Sequence, residues 1–234
     1  VVEIIGETGL YDYVEFLAEG GAYTPHDLEG FARAAELKGL STMIKVGQGA
    51  RAFLAEQALA AGIQNVLFAG VRRPEDVVEA VKAVRAEPKG GNGIKVSRQI
   101  GYTGHTRTAR DFVAMCDDAV VAIMVEKREA VDRLEELLGV GGVDMVQFGP
   151  ADYALSLGLP GEISHPKVRE AELRTIKTAL RMDIRPRAEI REPREAQRYL
   201  ELGVRDFSLN MDVRILYGWL REKGEELRRE LGRG

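Results

Sequence analysis

The stretch Ala119 to Asp152, AVVAIMVEKREAVDRLEELLGVGGVDMVQFGPAD, decides the fold. It opens on a run rich in Val and Ile, Ala119 to Glu126, and passes into a segment with apolar residues at helical spacing, Arg128 to Gly139. It then returns to a second β-rich run, Val143 to Gly149. Strand, helix and strand with no hairpin signal between them form the unit of a parallel sheet. A run as uniformly apolar as VVAIMV suits a strand buried on both faces.

The same alternation extends in both directions. Strands are predicted at Asp12 to Ala18, Ser41 to Val46, Asn65 to Gly70, Arg185 to Ile190 and Arg205 to Asn210 as well, which makes seven. Helical spacing fills the intervals, as in LEGFARAAELKG, ARAFLAEQALAAG, PEDVVEAVKAVRAE and PREAQRYLELG, several closing on a Gly suited to a helix C-terminus. The opening VVEIIGETG reads as the end of a helix whose own strand is expected ahead of Val1. The expected fold is therefore a single α/β domain over residues 1–234, a (β/α)8 TIM barrel with its first strand missing. The alternative at this point is an open, doubly wound sheet. Pro88 to Gly104 carries five glycines in seventeen residues and reads as a lid or binding loop. Near the end, Ile215, Leu216, Trp219, Leu220 and Leu227 mark the apolar side of a long helix that needs the barrel or a neighbouring subunit to pack against.

Composition removes several function classes. Thirty-three Lys and Arg against 37 Asp and Glu leave a net charge of −4, with no basic excess to hold a nucleic-acid backbone. The longest apolar run, Ala119 to Val125, is far too short to span a bilayer, and no signal-peptide pattern opens the sequence, so no membrane partner and a cytoplasmic location are expected. A single cysteine, Cys116, gives neither an internal disulfide nor a thiolate cage.

Two motifs compete for the chemistry. Gly47-Gln48-Gly49-Ala50-Arg51-Ala52 matches G-x-G-x-x-A after a strand, yet the next strand ends on Ala69 and Gly70 rather than on the acid a dinucleotide ribose needs, so an ordinary strand-to-helix turn is the better reading. Glu126 and Asp152 instead follow consecutive strands, and in a parallel barrel both would stand on the carboxyl-terminal face where active sites form. Their oxygens suit Mg²⁺ or Mn²⁺. The structural readings are a helix N-cap for Asp152 and an ion pair with Lys127 or Arg128 for Glu126.

The segments VDMVQFGPADYALSLGLPG followed by SHPKV, MVEKREAVDRLEELLGVGGVD, GLYDYVEFLAEGGAYTPHDLEGFARAAELKG, MIKV and NVLFAGVRRPEDVVEAVKAVR together resemble the HpcH/HpaI family of metal-dependent 2-oxo-acid aldolases, relatives of the citrate lyase β-type barrels. The resemblance implies a (β/α)8 barrel holding a divalent metal, Mg²⁺ or Mn²⁺ with Co²⁺ as a further option, through Glu126 and Asp152. It implies that the backbone around Gly149, Pro150, Ala151 and Asp152 receives the substrate carboxylate. It also implies a homo-oligomer, a hexamer built as a trimer of dimers, that exchanges a C-terminal helix. The chain departs from the family pattern at four positions: Gly20 replaces the acid/base His, Leu17 its Asp partner, Lys45 an Arg and Met124 a Gln.

The resemblance implies a divalent-metal-dependent aldehyde-lyase that makes or breaks a C–C bond through the enolate of a pyruvate-type 2-oxo acid, with an aldehyde as the second substrate. Lys45 is the candidate for polarising the keto oxygen, and Glu19 for ordering water at the ion. For the proton transfers His26, Tyr23, water and the substrate carboxylate remain open, while His105 falls in the Gly-rich insertion and His165 in a turn before Pro166. A 2-oxo-acid-binding barrel without aldol turnover, a Schiff-base aldolase using Lys45, and the dinucleotide enzyme of the Gly47 loop are the alternatives.

Overall fold

The computed structural model describes residues 1–232. A short helix α1 (Val2–Glu7) precedes β1 (Tyr13–Leu17), α2 (Pro25–Leu37), β2 (Ser41–Val46), α3 (Arg51–Ala60), β3 (Asn65–Phe68) and α4 (Pro74–Val84). The chain continues through α5 (Ala109–Asp118), β4 (Val121–Val125), α6 (Arg128–Asp132), α7 (Leu134–Leu138) and β5 (Met145–Phe148). It ends with α8 (Pro150–Ser156), α9 (Pro166–Arg181), β6 (Arg185–Ile190), α10 (Ala196–Glu201), β7 (Asp206–Leu209) and α11 (Asp212–Glu230). All seven expected strands are present, and VVEIIGETG does contain a helix. The single helix expected over Arg128 to Gly139 is broken at Arg133, whose backbone leaves the helical region, with Leu134, Leu137 and Leu138 still buried beyond the break.

The strands pair in parallel in the order β1 to β7 with no reversal. A doubly wound sheet needs a point where the order reverses and helices on both faces. Here side chains alternate between two different environments. Ile44, Val46, Val66, Phe68, Ile123, Val125, Val146 and Phe148 pack with helix residues such as Leu28, Leu59, Val77 and Leu137. The intervening Met43, Leu67, Ala69, Ala122, Met124 and Met145 form a cluster to which no helix contributes. The sheet is thus curled with its helices outside. Arg187 on β6 reaches Glu15 on β1 at 2.6 Å, and the Tyr13 hydroxyl on β1 donates to the Phe207 carbonyl on β7 at 2.7 Å, so the first and last strands face one another across the interior. The result is a curled parallel sheet of seven strands, compatible with a TIM-like barrel, in which β7 and β1 do not pair.

The Gly-rich insertion does not overhang the mouth of this curl. It connects α4 to α5, at the amino-terminal ends of the strands, and lies along the outside of α2 and α3. Arg98 pairs with Glu36 and donates to the Ala61 carbonyl, Lys95 pairs with Glu56, and Tyr102 accepts from Arg33. The lid reading is therefore corrected: an excursion before β4 leaves from the end opposite a barrel's active face. Cys116 is buried behind it with Phe112 and Ile100, and burial raises its pKa. No described helix is long and apolar enough to cross a membrane.

Candidate active site

The inward rows of the curled sheet end in polar groups at the carboxyl-terminal edge. Met43 leads to Lys45 on β2, and Ala122 and Met124 lead to Glu126 just past β4. With a period of two, Lys45 faces inward because Met43 does, and Glu126 because Met124 and Ala122 do. Asp152 follows β5 in the first turn of α8.

Glu126 is 2 % exposed, and its Oε1 accepts a 2.7 Å hydrogen bond from the Gly70 amide. Gly70 has a positive φ of 67°, a conformation that glycine adopts without strain and that turns the chain sharply where β3 ends. The dinucleotide reading is overturned here, because the end of β3 supplies an amide to the neighbouring carboxylate in place of an acid for a ribose. Gly149 forms the opposite wall. A Cβ there would fall 2.8 Å from Glu126 Cβ and 2.9 Å from both Glu126 Oε2 and Met124 Cε, so only glycine leaves this carboxylate its room.

Burial is the leading cause of a Glu126 pKa raised above the carboxylate norm; Lys45 opposes it, the negative charge of Asp152 adds to it, and the Gly70 amide opposes it. Lys45 is 14 % exposed and its Nζ stands 2.6 Å from Glu19 Oε2. Burial works to lower the Lys45 pKa, but the hydrogen bond and charge of Glu19, helped by Glu126 and Glu15, outweigh it and leave the pKa raised. A Schiff-base nucleophile needs a free amine with a lowered pKa, and the 2.6 Å pair with Glu19 does not favour that alternative.

The structural readings of the two acids also change. Glu126 is bonded to the Gly70 amide and forms no ion pair with Lys127 or Arg128. Lys127 Nζ instead lies 2.8 Å from Asp152 Oδ1. Asp152 is no N-cap, since Gly149 holds that position. The backbone expectation narrows for a simple reason: the Gly149 N–H already donates to the Val125 carbonyl and Pro150 has none. Only the amides of Ala151 and Asp152 remain, in the first helical turn where N–H groups lack intrahelical acceptors.

None of the three histidines joins this cluster. His26 is exposed at the start of α2, His105 is exposed in the insertion, and His165 caps α9 by accepting from the Lys167 amide. Tyr23 packs edge-on against Phe16. At Gly20 a Cβ would meet nothing within 4 Å. Sequence reasoning missed the Gly70 amide and the Lys127–Asp152 pair; both join loops far apart in the chain, and only the parallel register brings them together.

Among the described residues no group of three or more acidic, His or Cys side chains could hold a metal. Two carboxylates, one buried and kept clear by a glycine wall, nevertheless fit a hard divalent cation that draws its remaining ligands from water and substrate.

Comparison with known proteins identifies the family of the chain. The profile described as HpcH/HpaI aldolase/citrate lyase matches residues 26–214. The hydroxypyruvate/pyruvate aldolase of Roseovarius nubinhibens is 30 % identical over 226 residues, covering 92 % of this chain and 82 % of the relative. The 4-hydroxy-2-oxo-heptane-1,7-dioate aldolase of Escherichia coli is 32 % identical over 162 residues, covering 69 % of this chain and 61 % of the relative. The crystal structure of an HpcH/HpaI aldolase from Desulfitobacterium hafniense superposes with a TM-score of 0.88 at 25 % identity, covering 97 % of this chain and 87 % of that one.

Proposed function

This chain belongs to the HpcH/HpaI aldolase/citrate lyase family, and on that premise we propose that it is a divalent-metal-dependent aldehyde-lyase acting through the enolate of a pyruvate-type 2-oxo acid. The observation that carries the reading is Glu126: a carboxylate 2 % exposed, anchored by one amide and faced by the charges of Lys45 and Asp152 at the mouth of the curl. A buried acid in such a place is costly unless it serves a cation.

Glu126 and Asp152 would hold the ion, Mg²⁺ or Mn²⁺ by the hardness of their oxygens, with Co²⁺ also admissible. When bound it supplies Lewis acidity at the keto oxygen of the substrate. Lys45 places an ammonium beside the same oxygen and stabilises the charge that develops as the C3–C4 bond breaks. As a point charge on a flexible stem it lacks the bidentate fork of an Arg. Glu19 fixes Lys45 through the 2.6 Å pair and stands at the rim, where it can order water. Ala151 and Asp152 present amides for the substrate carboxylate, with Gly149 and Pro150 shaping the turn that aims them. No side chain at Gly20 is available to move a proton at the aldehyde-forming hydroxyl, so cleavage depends on water or on a group of the substrate itself.

The seven-stranded curl is one domain of TIM-barrel type, and the protein assembles as a homo-oligomer, a hexamer of three dimers. The support is α11, nineteen residues long with no buried residue, on which Trp219 is 59 % exposed beside Ile215, Leu216 and Leu220. A face of that size needs a second copy to cover it. A cytoplasmic location fits the single reduced thiol. The experiment is a screen for pyruvate release from 4-hydroxy-2-oxo acids with added divalent metals; release with metal and none with chelator supports the reading, and equal release in both removes the metal.

A further inference from the structure

Asp152 has a resident cation. Lys127 Nζ lies 2.8 Å from its Oδ1, and the Lys127 side chain is 15 % exposed while that of Asp152 is half exposed. The pair spans two connections, since Lys127 leaves the end of β4 as the N-cap of α6 and Asp152 belongs to α8. It therefore bridges the two strand ends that carry the two carboxylates. The charge of Lys127 also reaches Glu126.

The local charges make the consequence plain. Glu19, Glu126 and Asp152 face Lys45 and Lys127, so three carboxylates meet two ammoniums and one net negative charge remains. Without Lys127 the same site would carry two, matching a divalent ion. An incoming cation needs the Asp152 carboxylate that Lys127 pairs with, and two cations beside one carboxylate repel one another.

We propose that Lys127 is a built-in competitor for the divalent cation, holding Asp152 in the metal-free protein and leaving it before the site can load. This rests on the reading of Glu126 and Asp152 as metal ligands. It raises the free metal concentration at which the site half fills, by an amount set by one side chain that touches the ligand and not by the ligands alone.

The test is binding of Mn²⁺ to metal-stripped protein, followed by loss of the free-ion paramagnetic signal. Lys127→Gln and Lys127→Met remove the charge and are expected to tighten binding about ten- to a hundredfold, the range that follows from losing one charge-assisted contact. Lys127→Arg keeps a cation and is expected to stay near the wild-type affinity. On an Asp152→Asn background, Lys127→Gln is expected to give no gain. Far-ultraviolet circular dichroism of each variant establishes that it is folded. A purely structural pair gives another pattern, lower melting temperatures with no tightening. The proposal alone is overturned if wild type binds one ion and both neutral variants bind it no more tightly. If neither wild type nor the neutral variants bind Mn²⁺, the metal reading falls and this role of Lys127 falls with it.

Discussion

The Gly70 amide donates to Glu126 Oε1 at 2.7 Å, so the turn ending β3 fixes the carboxylate that ends the inward row of β4. The contact holds one oxygen by backbone, and a backbone donor cannot be removed by a side-chain change nearby. It leaves Oε2 beside Gly149, directed toward the connection that carries Asp152.

Gly149→Ala is expected to damage the site more than the fold. Its Cβ would press within 3 Å of the Glu126 side chain and Met124 Cε. Overpacking of this kind costs about 1–3 kcal/mol, which lowers the melting temperature by several degrees in a chain of this length. Displacing Glu126 should weaken Mn²⁺ binding by at least about tenfold, the effect of about 1.4 kcal/mol. Thermal denaturation and Mn²⁺ titration of the same sample separate the two effects.

Glu126 gives a pH-linked prediction whose sign follows from its raised pKa. In the window between the unfolded and the folded pKa the native state binds more protons, so the stability contributed by this group falls as pH rises through that window. Above that window the buried Glu126 carboxylate works against folding of the metal-free protein. Glu126→Gln keeps an acceptor for Gly70 and removes the charge, and it is expected to raise the melting temperature of metal-free protein at pH 7 while abolishing high-affinity Mn²⁺ binding. The stabilisation should shrink toward pH 4, and melting curves across that range check it.

How much of this was legible in the sequence divides along a physical line. The alternation of apolar residues places every strand, and the same period of two carries Lys45 and Glu126 to the mouth, because local patterning sets which face a residue takes. Contacts between loops are different. Lys127 sits next to Glu126 in sequence but pairs with Asp152, and the Gly149 amide is occupied by Val125, since both partners are chosen by the register of parallel strands. The place of the insertion is not legible, because glycine content signals an irregular loop and says nothing of which end of the strands it leaves.

Gly20 lies in open space, so a larger side chain fits there without displacing any neighbour. Leu17, in register with Lys45, is its companion position on β1. Leu17→Asp/Gly20→His is expected to raise cleavage of 4-hydroxy-2-oxo acids by about 10²- to 10⁴-fold, the usual contribution of a positioned acid/base group, with little change in Mn²⁺ affinity. Rates no higher than wild type in a folded double variant would show that proton transfer is not what limits this chain.

Removing the sequence after Asn210 deletes α11 and its exposed Ile215, Leu216, Trp219 and Leu220. The full chain is expected to scatter light as an oligomer at micromolar concentration, and the truncated chain as a smaller species. A full-length monomer at that concentration would contradict the assembly.

The central claim is that Glu126 and Asp152 hold an ion which, with Lys45, turns a 2-oxo acid into its enolate. Mass spectrometry of pyruvate incubated in D₂O tests it most directly, because methyl-proton exchange needs enolisation and no aldehyde. Deuterium uptake is expected with saturating Mg²⁺ or Mn²⁺, and none beyond the protein-free rate with chelator or in Glu126→Gln/Asp152→Asn. Failure of pyruvate and of every other small 2-oxo acid to exchange at saturating metal, or exchange that survives the double substitution, would contradict it.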